Sequence, residues 1–404
     1  MIKAISTLWQ QVKCKNINIL ILVLIVAYLS SILLTNYKEI FIFLAGYNFP
    51  GMQEKTATPL YIKGIKDLLI IILASIMFFK TMLRNIKLPV LFWAFLFCYL
   101  LSLIYSMVHN SPITILSSLR AYFPLLLLPL CINTVSKTYQ YYIYLTLRVL
   151  FYIGLFLQLG GLFLASGYYG LYFNMFSSRN PGLYLIPSSM ASFSMVYLYY
   201  SLFFSKQKKN FFELLGAIPL SIFLTGSGTG FLSYFFYIVS SYLPYAILAC
   251  VILFFPFIFV IIYFMLPAIS GRDDIWDSLW GRFPILERAI DNNAIFFSKN
   301  VAFGTNNAAL LSQNFTHLKN AVGATVNDST WIAIMNSAGI AGAIFFTLFY
   351  FQAVFTKRSQ KTWIFFLCSF PFMSTILIFE LHPIGFLMTW NLAELIKEAD
   401  EEKR

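Results

Sequence analysis

Residues 214–271 read LLGAIPLSIFLTGSGTGFLSYFFYIVSSYLPYAILACVILFFPFIFVIIYFMLPAISG, and they contain no Asp, Glu, Lys or Arg. No soluble domain leaves such a length of chain without charge, because its surface must be wetted. Stretches of about 18 or more apolar residues span a bilayer as helices. The segment also carries its own punctuation. Gly226, Ser227, Gly228 and Gly230 break it in its first third, and Pro244 and Pro256 fall further on. Two or three membrane helices with tight connections are therefore expected here.

The rest of the chain follows suit. Of 404 residues, 59% are hydrophobic and only 11% charged, and the mean hydropathy is +0.76. This excludes a disordered chain, a disulfide scaffold and a soluble enzyme with one anchor. The expected fold class is all-α, a polytopic transmembrane bundle of about twelve spans in a single membrane domain, 1–404. The spans are expected at 17–36, 62–80, 88–108, 113–134, 141–165, 188–205, 211–226, 229–243, 245–267, 329–355, 362–380 and 383–396.

The net charge of +12 is ascribed to loops facing the cytoplasm, so no nucleic-acid partner is expected. With the N-terminus inside, the inner connections carry Lys80, Arg84 and Lys87, then Lys137, then Lys206, Lys208 and Lys209, then Lys357, Arg358 and Lys361. The even span count returns the C-terminus to the cytoplasm. Arg148, near the inner end of its span, is expected to snorkel inward. Five scattered cysteines and three dispersed histidines point to neither a disulfide framework nor a metal site.

Two loops stand out on the outer face. The smaller, 166–187, carries one charge, Arg179. The larger, 268–328, is the main hydrophilic segment and opens SGRDDIWDSLWGRFPILERAIDNN. That opening predicts two short amphipathic helices, one from about Asp273 and one beginning at Pro284. Arg272, Arg282, Arg288 and Lys299 lie close together in sequence. A surface pair such as Arg288–Asp291 at i,i+3 is the plainer alternative for Arg288. Arginine binds phosphate through a planar bidentate fork, so the outer arginines also suit a lipid diphosphate head.

Four local patterns then resemble one family, in its order. They are Arg179–Pro181–Gly182 before a new span at Pro187, LTGSGTGFL at 224–232, SGR at 270–272 with Trp276, and Asp328–Ser329 leading to Gly339 and Gly342. The chain resembles the O-antigen polymerase (Wzy) and O-antigen ligase superfamily of bacterial inner-membrane glycosyltransferases. The resemblance covers roughly 170–345. It departs at Gly228, where the family often has arginine, and at Asp328, where ligases usually have histidine; His317 is out of register. The acidic residue looks more like a polymerase.

The resemblance implies a polymerase that moves a growing glycan from undecaprenyl diphosphate to the next lipid-linked repeat unit, at the periplasmic face of the inner membrane. Partners would be the undecaprenyl-diphosphate-linked donor and acceptor, the bilayer, and a co-polymerase that sets chain length. No cofactor or metal is expected, since the donor is already activated. Asp328 is the expected catalytic base. Arg179, Arg272, Arg282, Arg288 and Arg120 are the expected diphosphate ligands. Glu380 and His382, between the last two spans on the outer side, are additional candidates, with interfacial residues as the alternative. The competing readings are an O-antigen ligase acting on lipid A core and, in a different class, a lipid-linked oligosaccharide flippase.

Overall fold

The computed structural model describes residues 2–37, 40, 59–81, 88–109, 112–164, 173–174, 177–178, 182–184, 187–206, 211–242, 286–287, 289–291, 293–299, 301, 329–357 and 359–402. These residues form helices α1 (Ile2–Thr35), α2 (Leu60–Thr81), α3 (Val90–His109), α4 (Pro112–Leu126), α5 (Leu128–Thr134), α6 (Lys137–Leu164) and α7 (Pro187–Phe203). They continue with α8 (Ile218–Thr225), α9 (Gly228–Tyr242), α10 (Thr330–Phe355), α11 (Gln360–Met373) and α12 (Ile384–Glu402). Among the described residues the only β pairing is a two-residue antiparallel ladder, Phe173–Asn174 with Ser177–Ser178. The span expected at 245–267 lies outside the described residues.

Five helical stretches are long and apolar enough to cross a membrane: Asn16–Thr35, Val90–His109, Ile115–Thr134, Lys137–Gly160 and Thr330–Phe355. This makes the chain a membrane protein by composition and helix length. Helix α2 is as long, at 22 residues. Lys63, Lys66, Asp67 and Lys80 set it apart. The outer surface agrees, since Trp93, Phe97, Ile104, Phe156 and Phe223 are all exposed. An apolar surface of that extent needs lipid or protein against it.

The bundle is organised around α7, which is buried from Ser189 to Ser201. A helix buried on every side belongs at a centre. Neighbours α6, α8, α9, α11 and α12 surround it. Buried polar side chains tie these helices together. Gln158 Nε2 donates to the Ser221 carbonyl (3.1 Å), and Ser221 Oγ donates to Gln158 Oε1 (2.8 Å). Ser194 Oγ lies 3.0 Å from Ser221 Oγ. On the other flank α10 packs along α3 through Phe92, Phe95, Phe346 and Phe349.

The span expected at 113–134 stands as one apolar stretch, Ile115–Thr134, with a local break at Leu127, between Pro124 and Pro129. Proline lacks the N–H and crowds the preceding turn. The span expected at 362–380 ends as a helix at Met373, just after Pro371. Ser374 Oγ and Thr375 Oγ1 then donate back to the carbonyls of Phe370 and Pro371, closing the helix end. Arg148 has a buried partner from another segment. Its Nη2 lies 2.8 Å from Oε1 of Glu213, whose side chain is 1% exposed.

Glu213 opens a five-residue π segment, Glu213–Ala217, directly before α8. Pro219 in the next turn cannot donate to a carbonyl, and a widened turn accommodates it. The connection to α9 turns at Gly226 and Ser227, and Ser227 Oγ accepts from the amide of Gly230. The small residues of LTGSGTGFL thus make a tight turn between two helices, as the sequence predicts.

Contacts separate the two ends of the bundle. One end joins Asn36 to the Leu183 carbonyl (3.0 Å), Thr229 to Thr375 (3.2 Å) and Ser329 to the Met373 carbonyl (3.4 Å). The other joins Tyr139 to Asn18 (3.1 Å), Lys397 to the Val135 carbonyl (2.8 Å), and Lys361 to Glu394 (3.1 Å) and Glu398 (2.7 Å). Residues assigned to the outer face by the sequence gather at the first end. Among the described residues, the basic side chains Lys80, Lys357, Lys361 and Lys397, expected on the cytoplasmic side, make their contacts at the second.

Candidate functional site

At the first end, α2, α4 and the 374–383 connection enclose a cavity of about 430 Å³. Its polar wall is Lys66 and Asp67 from α2, Arg120 from α4, and Glu380 and His382 from the connection. Its apolar wall includes Ile70, Ile71, Leu116, Leu119 and Phe123. Ionisable side chains within apolar helices are costly and face a partner or a wet cavity. Here five converge.

The 374–383 connection is held firmly. Thr330 Oγ1 accepts from the Ile378 amide (2.9 Å) and donates to the Ile376 carbonyl (2.6 Å). The start of α10 therefore anchors the segment that carries Glu380 and His382. Helix α1 anchors its other side, with the Tyr28 ring edge-on to the His382 ring at 4.4 Å between centroids. Ser31 Oγ lies 2.9 Å from His382 Nε2.

The cations differ in their pairing. Arg120 meets Asp67 side-on, with Nε 3.2 Å from Oδ1 and Nη2 3.0 Å from Oδ2. Lys66, one residue before Asp67, makes no ion pair within 4.0 Å among the described residues. The cavity thus holds one cation paired side-on with a carboxylate and one that feels Asp67 and Glu380 at longer range. His382 lies outside the helices, in the connection. Burial first, and the Lys66 charge second, hold its imidazole well below the ordinary value of 6.5. The ring is neutral near pH 7.

The structure brings three sequence candidates together, namely Arg120, Glu380 and His382. It adds Lys66 and Asp67, which lie inside the span expected at 62–80. An adjacent Lys–Asp pair in an otherwise apolar span was the available signal. Arg179, Arg272, Arg282, Arg288 and Asp328 lie outside the described residues.

Part of the large loop is described and departs from a purely solvated reading. Residues 286–287 and 289–291 are helical, matching the helix expected from Pro284, and Ala289 is buried against Ile332 and Met335 of α10. Residues 293–298 continue into the bundle. Asn293 Nδ2 donates to Asn336 Oδ1 (2.8 Å), and the Ser298 amide donates to Ser102 Oγ (2.8 Å). The Ala341 amide donates to the Ile295 carbonyl (2.7 Å) across a break in α10 at Gly339, where φ is +76°. A Cβ at Gly339 would stand 2.6 Å from the Phe297 amide nitrogen.

A second buried polar cluster lies elsewhere. Glu213 accepts from Tyr152 (3.0 Å), Tyr197 (3.0 Å) and Ser201 (3.4 Å) besides Arg148. Every oxygen is used, and the cluster joins α6, α7 and the π segment. Its arrangement is that of a structural clasp.

No protein-family model, curated protein or solved structure matches the chain. The class defined by the fold is a helical membrane protein with a charged cavity at one end of its bundle.

Proposed function

We propose that this protein is a polysaccharide polymerase of the O-antigen kind. It transfers a growing glycan from undecaprenyl diphosphate to the next lipid-linked repeat unit, at the periplasmic face of a bacterial inner membrane. The observation that supports it best is the cavity in which Lys66 and Arg120 stand beside Glu380 and His382.

The chemistry has two requirements. An acceptor hydroxyl attacks the anomeric carbon of the donor sugar, and the bond to the diphosphate breaks. Charge grows on the departing diphosphate, so fixed cations lower the barrier there. Lys66 and Arg120 supply them from within the bundle. Arg179, Arg272, Arg282 and Arg288 are their proposed companions from the two outer loops. The hydroxyl must also lose a proton to a base. Asp328 is the sequence's candidate, one residue before Ser329, which donates to the Met373 carbonyl at the end of α11.

The apolar wall of the cavity, beside exposed Leu68, Ile71 and Leu116, suits a substrate whose lipid stays in the bilayer. A flippase needs its polar lining to run from one side to the other. Among the described residues, Lys66 and Arg120 sit at one end. Arg148, the other intrahelical arginine, is engaged by Glu213. This distribution favours an enzyme. A ligase differs only in its acceptor, and the acidic Asp328 in place of histidine favours the polymerase.

A polysaccharide gel from cells lacking the gene separates these readings. Core carrying a single repeat unit is expected. Bare core with long lipid-linked polymer would mean a ligase, and repeat units retained on the cytoplasmic side would mean a flippase.

A further inference from the structure

The clasp between α6 and the π segment is asymmetric. Glu213 is sealed inside, and its two oxygens accept from Tyr152, Tyr197, Ser201 and Arg148. Arg148 stands outside it, with 32% of its side chain exposed. The negative end of the pair is therefore buried, and the positive end faces outward. It opens onto a groove of about 610 Å³ lined by Arg148, Val149, Tyr152, Ile153 and Phe156. These positions, at i, i+1, i+4, i+5 and i+8, form one face of α6. Val149 and Phe156 are exposed, within a stretch apolar enough to cross a membrane, so this face meets lipid. A guanidinium presents several N–H donors in a fixed fork. One Glu213 oxygen and the neighbouring Tyr152 hydroxyl satisfy only part of them, and hydrocarbon offers no acceptor for the rest.

A second cation borders the same face. Lys206 Nζ lies over the Tyr141 ring, 4.1 Å from its centroid, and Lys206 is exposed. Tyr141 and Tyr142 form an aromatic pair here, as side chains at a membrane–water interface do. Arg148 follows Tyr141 by two helical turns, about 10 Å deeper along the same face. Lys206 and Arg148 outnumber the buried Glu213, so the face is net positive. We propose that it binds one phospholipid from the leaflet at the second end of the bundle. The phosphate sits between Lys206 and Arg148, and an acyl chain runs over Val149, Ile153 and Phe156 towards the bilayer centre. The guanidinium fork suits phosphate oxygens, and a phosphate there supplies the acceptors that hydrocarbon lacks. An arginine at this depth is otherwise costly. The site is separate from the charged cavity and does not rest on the polymerase reading.

The test uses the purified full-length chain in detergent and a phosphatidylglycerol with a photoreactive diazirine in its acyl chain. Peptide mapping after illumination reads the crosslink within 149–156. Unlabelled phosphatidylglycerol should displace the label, and diacylglycerol with the same chains should not. Lys206→Gln leaves the clasp intact and should weaken binding about fivefold, the scale of one basic residue at a membrane surface. The double variant Arg148→Met, Glu213→Leu removes the guanidinium without stranding a carboxylate. It should weaken binding about 10-fold or more, the scale of a hydrogen bond to a charged group.

Equal displacement by diacylglycerol would show that no phosphate is recognised and would overturn the proposal. Unchanged binding in Lys206→Gln would do the same, even should the double variant fail to fold. More efficient displacement by lipid-linked repeat units than by phosphatidylglycerol would assign the groove to the substrate and overturn it as well.

Discussion

Arg120 and Asp67 meet side-on across the cavity mouth, with both guanidinium contacts at 3.0–3.2 Å, while Lys66 on the same turn of helix has no such partner. The pair is partly exposed, so its own contribution to stability is about 1 kcal/mol or less. Its consequence is a division of labour. Asp67 holds Arg120 in place, and in the proposed function Lys66 is the cation offered to an incoming anion.

Lys66→Gln should therefore lower polymer formation by about 100-fold, the scale of one preorganised charge aimed at a leaving group. Asp67→Asn should cost less, since Arg120 keeps its charge and loses only its orientation. Initial rates for the two purified variants, compared with wild type at saturating substrate, check this order.

The Arg148–Glu213 clasp predicts a stability effect instead. Arg148→Met leaves the Glu213 carboxylate buried with only hydroxyl donors. Removing one partner of a buried pair costs about 3 kcal/mol, reduced here because the Arg148 side chain is 32% exposed. Thermal unfolding in detergent should show a clear loss. The double variant Arg148→Met, Glu213→Leu should recover part of it, because no charge is then stranded.

Gly339→Ala should damage the fold where the large loop enters the bundle. The positive φ is disfavoured for alanine, and the new methyl meets Phe297 backbone at 2.6–3.0 Å. Strain of this kind costs about 1–3 kcal/mol before the clash is added. Proteolysis within the 293–298 segment, protected in wild type, should become rapid in the variant.

The arrangement of the two ends also predicts accessibility. A cysteine placed at Lys63, at the cavity end, should react with a membrane-impermeant thiol reagent added outside spheroplasts. One placed at Lys357 should not, until the membrane is opened. Reversal of that pattern would invert the expected orientation.

Much of the architecture was legible because hydropathy and breakers act locally. Helices stand where eleven of the twelve spans were expected, and the break at 226–228 follows from its small residues. The errors have long-range or proline causes. The division at Leu127 and the end at Met373 both lie beside prolines within apolar runs, which hydropathy alone reads as continuous. Arg148 was read alone because its partner, Glu213, lies in another helix.

The candidate site was legible in part for the same reason. Arg120, Glu380 and His382 drew notice as rare polar residues near one face. Lys66 and Asp67 sat inside a span whose overall hydropathy hid them. His382 meets Ser31, far away in sequence, and only packing brings the two together. Gly339 was recognised as part of a pattern, but its reason, the backbone of Phe297, required the fold.

The most direct measurement is polymerisation by the purified protein. Wild-type chain in detergent, supplied only with lipid-linked repeat units, should yield a ladder of longer lipid-linked glycans and free lipid diphosphate. Lys66→Gln should yield the unreacted repeat unit. No ladder from well-folded wild-type protein, or an equal ladder from Lys66→Gln, would contradict the account.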